Sequence, residues 1–437
     1  MTNMVIRFAG REFPDSARNP RGLALKFYTE DGNYDVLMVN FPVFFNRDPA
    51  LGPSVVRSQQ RNPQNFQVNL DSTLDFMSLV PESALANTWF WSDHGTPMGW
   101  RFFDAFPCHT FKWVNAQGQA TWVRYAFVSE QGIKNFDFDS AVKMCGEDPD
   151  FAKRDLWQHI DRGGKAAWKF CIQTMTDQQA SAVNFDPFDV TKVWPRENFP
   201  LREIGRLVID RNPENYHRDV EQAAFSPGRM VPGVEPSPDP LLQFRCTFYN
   251  DAQLYRLGPN YHQIPVNCPF MAKQYHPTAR DGVTRVDANG GVEANYYPNS
   301  FTVPRATRPD KTQDWAPVAL NGQLERGKPG ARSTEGKQQE YEQATQFYLR
   351  ELDATNKQHL HYNVARAFAN VSRWEVKLRF LHQAYRIHPD YAAGILQEVD
   401  KLGKSDPNVT WERLLRNIKE LPHTVDQAAG YIPLPLV

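Results

Sequence analysis

The chain has 437 residues, enough to bury a large core and to hold more than one domain. Lys and Arg together number 49 and Asp and Glu number 50, so the net charge gives no support to a nucleic-acid partner. The sequence has neither a long apolar run nor a signal-peptide pattern, and we expect a cytoplasmic protein that does not contact a membrane. Five cysteines without CxxC spacing argue against a disulfide framework and against a zinc knuckle.

Residues 1–180 consist mainly of short segments with strand character, and these predict an antiparallel β-barrel domain. The strand-like segments are 23–28, 34–39, 110–114, 121–127 and 167–175. The run Asn115-Ala-Gln-Gly118 predicts the turn of a hairpin between two of them. Residues 137–165 have a helical pattern and predict a short insertion in the barrel domain.

A Pro- and Asn-rich tract covers residues 181–335, and so much irregular chain usually wraps another part of the molecule or a ligand. One predicted helix, 241–257, interrupts the tract and stops at the pair Gly258-Pro259. Residues 336–437 are the third predicted region, a helical subdomain, because apolar residues recur there at helical spacing. The predicted fold class is therefore α+β.

The helix at 241–257 carries Arg245, Tyr249 and Arg256 on one face, because these positions fall within about 40° of one another at helical spacing. A guanidinium one turn from a phenol favours the phenolate, and a phenolate is a good ligand for ferric haem iron. Arg256 lies two turns further along, where it can reach a haem carboxylate. Taken alone, the segment is also compatible with an amphipathic helix that carries a half-buried tyrosine and two solvated arginines.

The residues around this helix resemble those of the haem catalases. The matching runs are Arg245-Cys-Thr-Phe-Tyr-Asn-Asp, Arg256-Leu-Gly-Pro-Asn-Tyr-His-Gln-Ile-Pro, Asn295-Tyr-Tyr-Pro-Asn-Ser-Phe, Asn19-Pro-Arg-Gly-Leu-Ala-Leu-Lys-Phe-Tyr, Arg47-Asp-Pro, Ser58-Gln-Gln-Arg-Asn-Pro-Gln and Phe185-Asp-Pro-Phe-Asp-Val-Thr-Lys-Val-Trp-Pro. The similarity covers residues 5–305 and, more loosely, 338–400. It implies a catalase-like antiparallel β-barrel, a long wrapping segment with the proximal haem helix, a C-terminal helical subdomain and haem b as the cofactor.

The resemblance also implies roles for individual residues on the proximal side of the haem. Tyr249 matches the axial iron ligand, and Arg245 matches the residue that keeps it ionised. His109 and Asp239 match the hydrogen-bonded relay behind that arginine. The other implied haem contacts are Arg256 and Arg7, as partners of the haem carboxylates, and the pair Phe44 and Phe45.

The distal side departs from the family pattern. Catalases carry a histidine above the iron, in a segment before the first strand, whereas the first histidine here is His94. The distal asparagine aligns with Val39, two channel phenylalanines align with Gly52 and Val55, and the channel aspartate aligns with Asn19. Asn40 is adjacent, but alternation along a strand would turn it to the other side. Losing a general acid–base group costs about 10²–10⁴-fold in rate, so we expect poor catalase activity.

Many catalases also bind NADPH in a surface pocket. The positions that align with that pocket are Leu85, Trp89, His94, Asp104, Val128 and Trp194. A usual arginine is replaced by His94 and a usual lysine by Val128, so a 2′-phosphate would lose its cationic partners and NADPH is not expected. One interpretation is drift after loss of an unused cofactor. The other is a substrate pocket re-lined for a cationic aromatic compound.

Three functions remain open at this point. The first is a haem oxidoreductase that uses peroxide or dioxygen to oxidise a small organic secondary metabolite, as the relative chanoclavine synthase does in the radical oxidative cyclisation of alkaloid assembly. The second is a catalase or peroxidase that decomposes hydrogen peroxide under oxidative stress, with an incomplete N-terminus. The third is a non-enzymatic haem-binding remnant. Because the subunit-threading arm of catalases precedes the part of the family pattern seen here, we expect a homodimer rather than a tetramer.

Overall fold

The structure is a computed structural model, and it describes residues 2–3, 13–272, 281–289, 291–292 and 339–417. Arg7 and the run that begins at Asn295 lie outside these ranges, so their predicted roles remain predictions. No helix within the described ranges is long and apolar enough to cross a membrane.

The described strands form two antiparallel sheets. They are β1 Thr2–Asn3, β2 Gly22–Thr29, β3 Gly32–Val39, β4 Phe111–Val114, β5 Ala120–Ser129, β6 Ala166–Met175, β7 Arg202–Ile209 and β8 Val234–Pro236. The smaller sheet has the order β1-β2-β3, and the larger has the order β7-β6-β5-β4-β8. The predicted hairpin turn is confirmed, because Val114 pairs with Ala120 at the end of the β4–β5 ladder.

Two isolated bridges join the sheets into a barrel. Val39, at the end of β3, pairs with Phe106, and the adjacent Ala105 pairs with Phe127 of β5. Alternate residues of the strands turn inward to a common apolar core, as the pleat requires. The inward residues of β2, β3, β5 and β6 include Leu23, Leu25, Val36, Met38, Val123, Phe127, Trp168 and Ile172. The predicted antiparallel barrel is confirmed.

The described α-helices surround this barrel. They are α1 Gly52–Ser58, α2 Leu70–Leu79, α3 Ala84–Trp91, α4 Phe138–Glu147, α5 Phe151–Asp161, α6 Asp177–Ala182, α7 Pro240–Leu257, α8 Gln339–Gln346, α9 Ala354–Phe368, α10 Trp374–Ile387, α11 Pro389–Lys401 and α12 Trp411–Asn417. The predicted insertion at 137–165 forms α4 and α5, and the predicted helix at 241–257 is α7. The five helices α8 to α12 all fall in the region predicted to be helical.

The tract at 181–335 contributes to the sheet as well as wrapping around it. Its strand β7 pairs with β6, and its strand β8 pairs with β4, so the tract supplies both edges of the larger sheet. The sequence pattern did not predict these strands. The side chains of β7 are exposed or half-buried. An edge strand that contacts solvent on both faces lacks the alternation of apolar and polar residues by which a strand is predicted from sequence.

The C-terminal helices pack on α2 and α3 through a large apolar cluster that includes Leu74, Met77, Val364, Leu381 and Ile395. Polar contacts fix the register of this packing. Arg379 of α10 donates to the hydroxyl of Ser78 at 3.0 Å and forms an ion pair with Asp75 of α2. Because α3 carries Trp89, this packing determines which C-terminal side chain contacts Trp89.

Candidate active site

Helix α7 begins and ends where its sequence dictates. Asp239 caps its start, because one carboxylate oxygen accepts the backbone N–H groups of Leu241 at 2.9 Å and Leu242 at 3.2 Å. Pro240 occupies the first helical position, where its missing N–H costs nothing. Gly258 ends the helix with φ at 99°, a left-handed conformation that favours glycine. The helix is therefore fixed at both ends, with Tyr249 in its middle.

The four predicted proximal residues form one hydrogen-bonded chain. The second carboxylate oxygen of Asp239 lies 2.5 Å from Nδ1 of His109, and Nε2 of His109 lies 2.6 Å from Nη1 of Arg245. Nη2 of Arg245 donates to the hydroxyl oxygen of Tyr249 at 3.1 Å. Because a guanidinium can only donate, Nε2 of His109 must accept and its Nδ1–H must donate to Asp239. The chain thus fixes both the ring orientation and the tautomer of His109.

Burial shapes the charges of this chain. His109 and Asp239 are 2% and 1% exposed, and burial lowers the pKa of His109 although Asp239 opposes the shift. Burial alone would lower the pKa of Arg245, but its interaction with the Tyr249 oxygen outweighs this and the pKa is raised. The imidazole is therefore neutral and the guanidinium is a permanent cation beside the phenol. Arg245 thereby places a charged donor 3.1 Å from the Tyr249 oxygen.

Arg256 lies on the same helix but makes its hydrogen bonds elsewhere. Its Nη1 donates to the carbonyl of Glu221 at 2.7 Å, its Nη2 to the carbonyl of Ala223 at 2.8 Å, and its Nε to the side chain of Gln253 at 3.0 Å. In this structure Arg256 fastens the preceding segment to α7. Its role as the partner of a haem carboxylate stays a prediction.

A small cavity adjoins the phenol of Tyr249. Its apolar wall comes from the end of β3, the loop after it and the segment before β4; its residues are Leu37, Met38, Val39, Phe44 and Pro107. Phe45, although adjacent to Phe44, turns away and packs on Phe41 and Phe90 in the helical cluster. The structure thus separates the two predicted phenylalanines, and only Phe44 borders the Tyr249 cavity.

The side chain of Asn40 does not replace the asparagine that Val39 lacks. Its amide nitrogen donates to the carbonyl of His94 at 2.9 Å, and its amide oxygen accepts the N–H of Arg21 at 2.7 Å. Asn40 therefore faces away from the Tyr249 cavity, as strand alternation predicts. Among the described residues, the apolar wall of this cavity carries no general acid or base, and the one imidazole in the lining, that of His109, is held by Asp239 and Arg245.

The residues around Tyr249 fit the haem that the sequence implies. A phenolate backed by a guanidinium suits ferric iron, and the apolar side chains of Leu37, Val39 and Phe44 suit the face of a porphyrin. Tyr249 would hold the iron, and Arg245 with its buried partners would keep that ligand anionic.

A second, much larger cavity of about 1180 Å³ lies on the outer side of β5 and β6. Five of the six residues predicted for the altered NADPH pocket line it: Leu85, Trp89, His94, Asp104 and Trp194. The sixth, Val128, packs instead with Phe44 and Leu201 in a neighbouring apolar cluster. The structure thus brings most of the predicted pocket together.

One end of the large cavity is aromatic. The ring of Trp89 lies 4.3 Å from that of His94 and is stacked on that of Phe347 at 4.6 Å between centroids. Burial lowers the pKa of His94 to about 4, so its imidazole is neutral at physiological pH. Phe347 begins a short π-helix that continues α8, and such turns are frequent at functional sites.

Sequence reasoning missed the contribution of the C-terminal helices to the large cavity. Four residues of this region line the cavity: Gln343, Phe347, Arg350 and Glu351. The last three follow Gln343 by four, seven and eight positions, so all four lie on one helical face. Three of the four are polar, so the sequence pattern does not predict that this face is buried in an apolar core. A search for polar residues at helical spacing around a single aromatic residue could have found it.

Charged groups in the large cavity are only partly compensated. Burial raises the pKa of Asp104 and of Glu351, and Arg196 is the cation that acts on both. Asp104 accepts the N–H of Ser129 at 2.8 Å through one carboxylate oxygen. The cavity therefore combines an aromatic end, a neutral imidazole and two carboxyl groups, of which Asp104 is half-buried and Glu351 is exposed.

Cys108 and His109 line both cavities and so form a wall between them. Cys108 has φ at 67°, a left-handed conformation that is uncommon for a residue with a side chain. Burial raises the pKa of Cys108 to about 12, which keeps it a thiol.

Comparisons with known proteins agree with this geometry. A family model described as catalase matches residues 1–303, and one described as catalase-related immune-responsive matches residues 334–399. The catalase of Rattus norvegicus is 39% identical over 418 residues, which are 96% of this chain and 75% of the relative. The catalase of Methanosarcina barkeri is 47% identical over 325 residues, which are 74% of this chain and 64% of the relative. Catalase A from Saccharomyces cerevisiae superposes with a TM-score of 0.82 at 35% identity, covering 91% of this chain and 81% of that one.

The matches span both the barrel with its proximal helix and the C-terminal helices, and haem b is the cofactor of this family. Tyr249, with Arg245 and the buried pair of His109 and Asp239 behind it, would hold that cofactor. The chain belongs to the haem catalase family and is a catalase-like haem oxidoreductase.

Proposed function

We propose that this protein uses haem and either peroxide or dioxygen to oxidise a small organic substrate, rather than to destroy hydrogen peroxide rapidly. The observation that carries the proposal is the apolar wall of the Tyr249 cavity. Val39 is part of that wall, and the side chain of Asn40 points away from the cavity. When bound, haem supplies the one- and two-electron chemistry of such oxidations. Rapid peroxide disproportionation also needs a proton carrier above the iron, and the described wall offers none.

The large cavity is the proposed substrate site. Stacking on the aromatic end formed by Trp89 and Phe347 suits a flat ring, and the carboxyl groups of Asp104 and Glu351 suit an ammonium group. The neutral imidazole of His94 accepts or gives one hydrogen bond without adding charge. These groups favour a cationic aromatic secondary metabolite, as in the radical oxidative cyclisation of chanoclavine synthase, and they disfavour NADPH because its phosphates are anionic.

Oxygen evolution tests the first part of the proposal. The full chain is loaded with haem and mixed with hydrogen peroxide in an oxygen electrode. We expect oxygen release at least about 10²-fold slower than from a haem catalase at equal haem concentration, because proton transfer is unassisted. Release at the catalase rate would refute the proposal and favour the alternative below.

Turnover of a probe amine tests the substrate site. Tryptamine and its uncharged counterpart 3-ethylindole are compared under peroxide and under dioxygen. We expect Asp104→Asn to raise the KM for tryptamine several-fold while leaving that for 3-ethylindole unchanged. Asp161→Asn, an exposed carboxylate at the end of α5, is the matched control and should change neither KM.

The alternative is a catalase or peroxidase that decomposes hydrogen peroxide. The relatives favour it, because the catalase of Rattus norvegicus aligns with 96% of this chain and catalases as a class act on peroxide. The two functions separate in the oxygen electrode, where only a true catalase converts most of its peroxide to oxygen.

A further inference from the structure

A cluster of unpaired buried polar groups lies outside both cavities, where the N-terminal loop meets the C-terminal helices. Arg18 crosses this boundary, and its Nη1 donates to the carbonyl of Phe90 at 2.7 Å and to that of Ser92 at 2.5 Å. Its Nε and Nη2 are buried but have no hydrogen-bond partner in the described part of the chain. Buried donors left unpaired are rare in folded proteins, and each one calls for an explanation such as a bound water or ion.

Two more buried groups are in the same condition. The indole nitrogen of Trp91, whose ring centroid is 5.9 Å from the guanidinium carbon, and the amide oxygen of Asn363 lack partners in the described ranges. Tyr391 interacts electrostatically with Arg18. Trp91, Asn363 and Tyr391 are 3%, 0% and 1% exposed. The groups come from three parts of the chain, which meet only in the folded protein.

The contacts around Arg18 leave little freedom in its placement. A side chain on Gly95 would come within 2.6 Å of Arg18 Nη1 and 2.2 Å of the Phe90 carbonyl oxygen, so the arginine can cross only beside a glycine. Asp93 acts on Arg18 electrostatically, but its oxygens accept hydrogen bonds from His359 at 2.6 Å and from the amide nitrogen of Asn363 at 3.2 Å rather than from Arg18.

The unpaired groups are mostly donors. Arg18 offers three N–H bonds and Trp91 offers one, against the single acceptor oxygen of Asn363. A water molecule brings two further hydrogens that would need acceptors of their own, whereas a small anion only accepts. Burial lowers the pKa of Arg18 to about 10, with Asp93 opposing, so the guanidinium still carries its charge at neutral pH. We propose that Arg18 and Trp91, with Tyr391 beside them, form a buried site for a small monovalent anion of the size of chloride.

Such an anion would link two regions that shape the large cavity. The turn after Trp91 leads to His94, which lines the cavity, while Asn363 and Tyr391 belong to α9 and α11 of the helical region. That region also supplies Phe347, which is stacked on Trp89. The anion therefore stabilises the docking of the C-terminal helices on the barrel, whatever the substrate of the enzyme is.

Two measurements on the full haem-loaded chain test the site. Thermal unfolding is followed in chloride and in gluconate at equal ionic strength, and crystals are soaked in bromide for anomalous diffraction. We expect the unfolding midpoint to rise with chloride concentration in the wild type and a bromide peak within hydrogen-bonding distance of Arg18 Nε. Trp91→Phe keeps the packing and removes one donor, so it should weaken the chloride effect. Arg18→Met should abolish it.

Three results would overturn the proposal. One is a wild-type midpoint that does not depend on chloride. Another is a chloride effect that survives in Arg18→Met, since the ion would then bind elsewhere. The third is a bromide peak without any chloride dependence, which would mean an adventitious ion only. If Arg18→Met does not fold, Trp91→Phe and the bromide position decide the matter.

Discussion

Arg245 and Tyr249 lie one helical turn apart on α7, and the guanidinium donates to the phenolic oxygen at 3.1 Å. The other end of the same guanidinium is held by the buried ring of His109 at 2.6 Å. A flexible side chain is thereby fixed at both ends, so the cation stays beside the oxygen that would bind iron. The helical spacing of Arg245 and Tyr249 therefore keeps a cation beside the phenol only because His109, far away in sequence, holds the other end of the guanidinium.

Arg245→Met should weaken haem binding. It removes a hydrogen bond from a charged donor, worth about 1.5–3 kcal/mol, and leaves Nε2 of His109 without its donor. We expect roughly a 10- to 100-fold loss of haem affinity in titrations of the apoprotein, together with a changed ferric spectrum. Arg245→Lys keeps the charge but not the two-ended contact, and it should fall between the wild type and Met. Wild-type affinity in the Met variant would mean that the contact does not serve the ligand.

Asp239→Ala should destabilise the fold more than an ordinary helix-cap variant. Asp239 caps α7 and also accepts a hydrogen bond from buried His109. Its loss therefore removes the helix cap and leaves the Nδ1–H of His109 without an acceptor. The two effects together should cost about 2–4 kcal/mol in the free energy of unfolding by urea. Asp137→Ala is the matched control, because Asp137 caps α4 through Ser140 and is exposed. Equal losses in the two variants would show that the His109 contact adds nothing to stability.

The sequence predicted which proximal residues share a helix because that information is local. Helical spacing placed Arg245 and Tyr249 together, and the Gly-Pro pair predicted the end of α7. The contact of Arg245 with His109 is not local, and only the family resemblance predicted it. The large cavity was predicted only in part. Phe347 reaches Trp89 across more than 250 positions of sequence, and helical periodicity says which face of α8 is shared but not what it meets. Only the packing of the helices on the barrel shows that partner.

Acid should destabilise the protein between pH 6.5 and about 4, and His94 should account for part of the loss. Its pKa is lowered from 6.5 to about 4 by burial, so the unfolded chain binds the proton more readily in that window. Stability is therefore complete above pH 6.5 and falls as the pH drops, by at most about 1.4 kcal/mol per pH unit for this group. His94→Gln should reduce the difference in unfolding free energy between pH 7 and pH 5 by roughly 2 kcal/mol. An unchanged difference would mean that His94 is not buried in solution.

Gly394 makes the sharpest packing prediction, because it lies where α11 touches the ring of His361. A side chain at this position would come within 2.1 Å of Nδ1 of His361, and the ring cannot move freely because its Nε2 is bonded to the hydroxyl of Tyr348 at 3.0 Å. Alanine in a helix is normally better than glycine by about 0.5–1 kcal/mol. At this site the collision should reverse the sign, and Gly394→Ala should lose about 1–3 kcal/mol in urea unfolding.

Gly146 in α4 provides the matched control for that substitution, since nothing lies within 4 Å of a side chain added there. Gly146→Ala should therefore be neutral or stabilising by up to about 1 kcal/mol, as helix propensity alone requires. The opposite signs of the two alanine variants separate packing from propensity. If Gly394→Ala proved as stable as Gly146→Ala, α9 and α11 could not approach as closely in solution as they do here. Tyr348 would then lose its fixed acceptor, and the adjacent Phe347 would lose the anchor that holds it against Trp89.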